Sequence, residues 1–362
     1  MDKTTLKTKR IVALFLFALY IGCISLLAQN IPNSYIAQNT TEAIEVDGKM
    51  NEISWKKAKW SEIFKDIEGK KSAAYDTRFK MIWDKEYLYF LAEIKEPHVW
   101  ATLKKRDTII FYNNDFEIFI DPEGDTHNYY EYEMNALNTI WDLFLSKPYR
   151  NNGRILDGWD FKDLKTAVHI NGTLNDSSDI DEGWTAEIAI PWSFVTEPGG
   201  TTIIPENKFW RINFSRVNWG FDLKDGRYSR KKDASGKFLH ENNWVWSPQG
   251  VINMHEPEHW GYVYFSTDKV GVESSFEIPE DEHIKWYLYE LFRDYRDANK
   301  GNIVWRNEGD RFVADTKTIL GKSTTPILEK NNFGFDIWIT SPFTNKKLVI
   351  HDDGKFESYQ DQ

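Results

Sequence analysis

From about residue 79 to residue 265 the chain alternates apolar and polar positions in short runs, a period of two that is the mark of strands. "FKMIW" and "YLYFLAEI" flank "DKE" as a hairpin. In "NDFEIFIDP", Phe116, Ile118 and Ile120 alternate with Asp115, Glu117 and Phe119. In "YYEYEMNA", Tyr130, Tyr132 and Met134 alternate with Glu131, Glu133 and Asn135. "NTIWDLFLS", "KTAVHING", "GWTAEIAIP", "FWRINFSRV" and "WGYVYF" extend the series. Short strands separated by Gly, Asn, Asp and Pro clusters predict an all-β fold, an antiparallel β-sandwich over 33–267. Trp83, Trp184 and Trp260 stand inside strand runs and are assigned to its core. Val217 to Asn243 reads as a long polar loop of the kind that carries function. Beyond it, 268–282 reads as a linker. Ile284, Tyr287, Leu288, Leu291, Phe292 and Tyr295 then follow helical spacing, and "FGFDIWIT" and "KKLVIHD" follow strand spacing. Residues 283–362 are therefore expected to form a small C-terminal α+β appendage.

The N-terminus departs from this pattern. Lys3, Lys7, Lys9 and Arg10 precede an apolar run from Ile11 to Leu27, and Ala28 offers a small residue for cleavage. Residues 1–28 read as an export signal, too short and too N-terminal to leave a membrane span in the mature chain. Cys23 is the only cysteine. "YIGC" resembles a bacterial lipobox, but Tyr20 fits its first position poorly, so Cys23 is expected to leave with the signal rather than carry a lipid. Disulfides and thiol catalysis are then excluded. Cleavage takes away four basic residues and one acidic residue, so the net charge of -11 becomes -14. Such a chain is not expected to bind nucleic acid or an anionic membrane surface. Aromatic residues make up 15% of the chain, more than a core needs, so some rings are expected to face a ligand.

One motif suggests zinc. His255-Glu256-Pro257-Glu258-His259 matches H-E-x-x-H, in which two His lie one helical turn apart. Pro257 breaks that helix, and "WGYVYF" follows as a strand. His255 and His259 are therefore expected not to form a zinc site.

Five stretches in order resemble the family 9 carbohydrate-binding modules. They are "IEVDGKMNEISWKKA", "MIWDKEYLYFLAEI", "NNDFEIFIDP", "GWTAEIAIPW" and "WSP…PEHWGYVYF", spread from about Ala43 to Phe265. The resemblance implies a β-sandwich that binds sugars, commonly with calcium, and clamps a sugar between two Trp rings. Glu117 matches the family's ligand-binding Glu. The first clamp position falls near Phe111 and Tyr112, and the second near Met254, which is not aromatic. A family Arg aligns near Glu133, a reversal of charge.

Saccharides present apolar C–H faces and hydroxyl edges, which aromatic rings and carboxylates complement. The expected ligand site comprises Phe111, Tyr112, Glu117, Glu133, Asn135, Arg216, Trp246 and His255. Arg216 ends the otherwise apolar face of Ile212 and Phe214, so it needs a carboxylate if buried, and Glu117 and Glu133 are the expected partners. Asp121, Glu123 and Asp125 in "DPEGDTHN" are hard oxygen ligands for a possible structural calcium, although they lack EF-hand spacing and a plain acidic turn is the alternative. No other cofactor is expected. The leading expectation is an exported, non-catalytic protein that binds an oligo- or polysaccharide. The alternatives are a glycoside hydrolase using a carboxylate pair, or a sandwich for a non-sugar ligand such as haem, for which no attachment motif exists.

Overall fold

The structure is a computed structural model that describes residues 31–195, 203–297 and 309–360. The expected signal segment and Cys23 lie outside the described residues. Fifteen strands build the larger body: β1 (Ser34–Asn39), β2 (Lys65–Asp66), β3 (Thr77–Trp83), β4 (Tyr87–Lys95), β5 (Asp115–Asp121), β6 (Tyr129–Asn135), β7 (Ile140–Leu145), β8 (Ile155–Leu156), β9 (Lys165–Asn171), β10 (Gly183–Pro191), β11 (Phe209–Asn218), β12 (Phe221–Lys224), β13 (Arg227–Arg230), β14 (Asn242–Val245) and β15 (Gly261–Lys269). A short helix, α1 (Ile53–Lys57), follows β1.

The strands run in the order β8-β7-β6-β5-β11-β15-β1-β3-β4-β10-β9. Apolar faces of the two halves of this path enclose one core, where Phe79 stacks on Phe214 at 3.7 Å between ring centroids. Trp83 and Trp184 lie in that core as expected, and Trp260 is buried against Phe119 and Tyr129. The alternation read in β5 and β6 is the observed one, with Phe116, Ile118, Ile120, Tyr130, Tyr132 and Met134 inside. All ladders in this body are antiparallel except those of β1, which pairs parallel with both β15 and β3. Its two partners lie far from it in the chain, and no local pattern carries that information. The "DKE" turn is fixed by Asp84, whose Oδ1 accepts the N–H groups of Glu86 (2.7 Å) and Tyr87 (2.8 Å).

The chain then forms α2 (Glu280–Asp297) and seven strands, β16 (Arg311–Val313), β17 (Lys317–Ile319), β18 (Lys322–Thr324), β19 (Ile327–Lys330), β20 (Phe335–Thr340), β21 (Lys346–His351) and β22 (Phe356–Gln360). Five of them form a sheet in the order β16-β19-β20-β21-β22. The periodic stripe of α2 explains its packing: Ile284, Leu288 and Phe292 are buried with Leu328, Ile337 and Ile350 of that sheet. Its other side meets the sandwich. Trp286 Nε1 donates to the Tyr262 hydroxyl (2.9 Å), and Arg293 Nε donates to Glu258 Oε1 (2.6 Å). Among the described residues no helix is long and apolar enough to cross a membrane.

His351 ends β21 between two acids, with Nδ1 2.7 Å from Asp336 Oδ1 and Nε2 3.3 Å from Glu357 Oε2. The bond to Asp336 is the main cause that holds its pKa up at about 9. A raised folded pKa means the folded state keeps a proton that the unfolded chain releases. This stabilisation is complete below the unfolded value of about 6.5 and is lost as pH rises through about 9. A titration of the His351 ring by NMR should show a midpoint near 9. A midpoint near the free-imidazole value contradicts the assignment. In His351→Gln the fall in stability over the same window should be shallower.

Candidate functional site

The outer face of β5, β6, β7 and β11 carries the candidate site. Register places Glu117 opposite Glu133, Phe119 opposite Glu131 and Asp115 opposite Asn135. It also sets Glu133 beside Trp141, Glu131 beside Leu143, and Ser215 of β11 opposite Glu117. Directly opposed residues share a sheet face, so these side chains form one floor. Phe111, Tyr149 and Arg150 wall it, and Asn253, Met254 and His255 lie over it, enclosing a cleft of about 350 Å³.

The acids in this floor are buried. Glu133 accepts the N–H of Phe111 (3.0 Å), and Asp115 Oδ1 accepts the N–H of Val217 (3.0 Å). Burial pushes the Glu117 carboxyl up to about 7. Burial and then the charge of a neighbouring carboxylate, Glu117 for Asp115 and for Glu131, and Glu131 for Glu133, push these three well above the usual carboxylate range. His255 Nδ1 bonds the Tyr129 hydroxyl (2.8 Å), and the rings of Tyr149 and Phe119 pack against its imidazole. Burial and then the nearby Arg150 lower its pKa to about 3. The imidazole is therefore neutral, and its 3.8 Å approach to Glu131 is not an ion pair at neutral pH.

Of the residues named from the sequence, Phe111, Glu117, Glu133 and His255 line this cleft together. Tyr112, Asn135, Arg216 and Trp246 do not line it. Arg216 points to the opposite face, because Ser215, not Arg216, lies opposite Glu117. Its ion partner is Glu96, at 3.5 Å, rather than Glu117 or Glu133. Trp246 belongs to the core, edge-on to Phe79, and a Cβ on Gly261 would lie 2.2 Å from its ring. Asn135 is spent on its own turn, its Oδ1 accepting the N–H groups of Leu137 (3.0 Å) and Thr139 (3.1 Å) and its Nδ2 donating to Leu103 O (2.9 Å). Tyr112 does not line the cleft; the guanidinium of Arg230 covers its ring at 4.2 Å.

Trp141 and Tyr149 were not among the expected site residues. The alternation of "IWDLFL" puts Trp141 on one face with Leu143, but only the β6–β7 register shows that this face is the one with Glu133. Tyr149 comes from a 3-10 turn whose position the sequence pattern does not signal.

The loop of Asp121, Glu123 and Asp125 does not fit calcium. Asp121 uses one oxygen on the Gly124 N–H (2.8 Å) and the other on the Thr126 N–H (2.8 Å), and Asp125 Oδ1 accepts the His127 N–H (2.8 Å). Glu123 is exposed, and the Lys285 ammonium from α2 donates to the Gly124 carbonyl. A tethered cation supplies the positive charge that a metal ion would bring. In the H-E-x-x-H stretch, Pro257–His259 is a 3-10 turn rather than an α-helix. His255 faces Tyr129, whereas His259 Nε2 lies 3.3 Å from Glu256 Oε2.

Comparison with known proteins adds the family. Exoglucanase XynX of Acetivibrio thermocellus is 27% identical over 158 residues, which is 44% of this chain but 12% of that enzyme. Endo-1,4-beta-xylanase C of Paenibacillus barcinonensis is 35% identical over 86 residues, 24% of this chain and 7% of that enzyme. The chain thus spans a small fraction of the curated relatives it matches. A family 9 carbohydrate-binding module from Caldicellulosiruptor kristjanssonii, solved with cellotriose, aligns with a TM-score of 0.42 and 14% identity over 68% of this chain and all of that one. Residues 46–263 match the carbohydrate family 9 binding domain-like family across more than half of the sequence. This chain belongs to the carbohydrate family 9 binding domain-like family.

Proposed function

We propose that this is an exported, non-catalytic carbohydrate-binding protein. Its cleft takes an oligo- or polysaccharide and so serves polysaccharide breakdown. The observation that carries this reading is a family 9 fold with one floor that joins rings to carboxylates. Trp141, Phe111 and Tyr149 offer apolar faces to sugar C–H groups. Glu117, Glu131 and Glu133 offer acceptors, fixed by their strands, to sugar hydroxyls.

A hydrolase reading uses Glu117 and Glu133, whose oxygens lie within 4.8 Å of each other. Retaining glycosidases hold their carboxyls about 5–5.5 Å apart, flanking the scissile bond. Here the two stand side by side on one floor and approach a sugar from the same side, which favours holding over cleaving. A glycan array run beside a reducing-sugar release assay separates the readings. Binding without release is expected. Sugar release that disappears in Glu133→Gln would replace this reading with the hydrolase.

A further inference from the structure

We propose that Asp115, Glu117 and Glu133 bind a hard divalent cation, of the calcium type, at the floor of the cleft. The three residues offer carboxylate oxygens that all lie within 4.8 Å of one another. Calcium binds oxygen at about 2.3–2.6 Å, so two oxygens on one ion stand at most about 5 Å apart. The geometry therefore already lies within the reach of a single ion, and an all-oxygen donor set selects a hard cation over zinc or copper.

A second observation points to a missing partner. Asp115 is fully buried. One of its oxygens is used by the Val217 N–H, but Oδ2 is sealed from solvent and has no hydrogen-bond partner. A buried carboxylate oxygen left bare costs about 1–3 kcal/mol or more. The neighbouring carboxylates cannot relieve it when ionised, because they are acceptors too. Among the described residues, none of the three forms an ion pair with Lys or Arg. Other buried acids have partners, Arg216 for Glu96, Arg293 for Glu258, and the N–H groups of Asp47, Gly48 and Trp55 for Glu187. Glu117 and Glu133 border the cleft, so an ion can reach the cluster from solvent. The loop at Asp121 and Asp125 makes the contrast, since Lys285 already serves it.

The test uses metal alone and is independent of the saccharide reading. The full chain is stripped with a chelator and titrated with calcium chloride at pH 8 by calorimetry, with magnesium as competitor. One calcium per chain is expected. Asp115→Asn and Glu133→Gln, each nearly isosteric, should weaken it at least about tenfold, while Asp125→Asn should leave it unchanged. Far-ultraviolet circular dichroism of each variant establishes that it is folded, and Glu117→Gln replaces any that is not. No calcium uptake by the parent, or uptake lost in Asp125→Asn and kept in Asp115→Asn and Glu133→Gln, overturns the proposal.

Discussion

Replacing Arg216 with alanine lowers the unfolding free energy by about 3–5 kcal/mol, the range for breaking a buried ion pair from one side. Arg216 is wholly buried and lies 3.5 Å from Glu96. Its Nη1 donates to Thr77 Oγ1 (3.1 Å) and to the Lys95 carbonyl (2.8 Å), and its Nη2 donates to Asn218 Oδ1 (3.0 Å). The guanidinium also sits 5.1 Å from the Trp244 ring centroid. Burial raises the pKa of Glu96 and lowers that of Arg216, so each charge is held against its desolvation by the other and by these bonds. Alanine strands Glu96, which keeps only neutral donors, Trp184 Nε1 at 2.9 Å and the Asn114 amide. Urea unfolding followed by tryptophan fluorescence measures the loss. The double variant Glu96→Gln, Arg216→Met should recover part of it, because no buried charge remains. A loss below about 1 kcal/mol would mean that Glu96 is not charged in the fold.

Lys285→Met should cost about 3 kcal/mol, through the loss of a charged donor and the exposure of two acids to each other. Lys285 is buried, its ammonium bonded to the Gly124 carbonyl and 3.8 Å from Glu282 Oε1. Its charge lowers the pKa of both Asp121 and Asp125, which burial otherwise raises, Asp121 to about 8. The substitution keeps most of the side-chain volume, so the change reports charge and hydrogen bonding rather than a cavity. Thermal melts of parent and variant measure it. Equal melting temperatures would show that α2 holds the β5–β6 loop by packing alone.

Much of the sandwich is legible in the sequence. The inward rows Phe116, Ile118, Ile120 and Tyr130, Tyr132, Met134 follow from a period of two, and the stripe of α2 follows from a period of 3.6. Glu117 and Glu133 were legible as acids on the non-core faces of their two strands. Their burial was not, because the strands that carry them look half-solvated, and the cover comes from Tyr149 and from 252–255, which are distant loops. Arg216 shows the second limit. Its own strand placed it correctly on the face of Ile212 and Phe214, yet its partner depended on the register of β5 against β11, which no local pattern sets. Trp246 and Trp141 show the third. Both lie in aromatic strings, and only the packing of Gly261 against Trp246 separates a core ring from a cleft ring.

The central claim is that a saccharide is held in the cleft floored by β5, β6 and β7. It is tested most directly by titration calorimetry of a glycan identified on the array against the parent, Glu117→Gln, Trp141→Ala and Tyr112→Ala. Glu117→Gln should weaken binding by about 1.5–3 kcal/mol, the value of a hydrogen bond to a charged acceptor. Trp141→Ala should weaken it by at least about 1 kcal/mol through the lost ring face. Tyr112→Ala, outside the cleft, should bind like the parent. Unchanged affinity in both Glu117→Gln and Trp141→Ala, with the glycan still bound, would contradict the account and place the saccharide elsewhere on the protein.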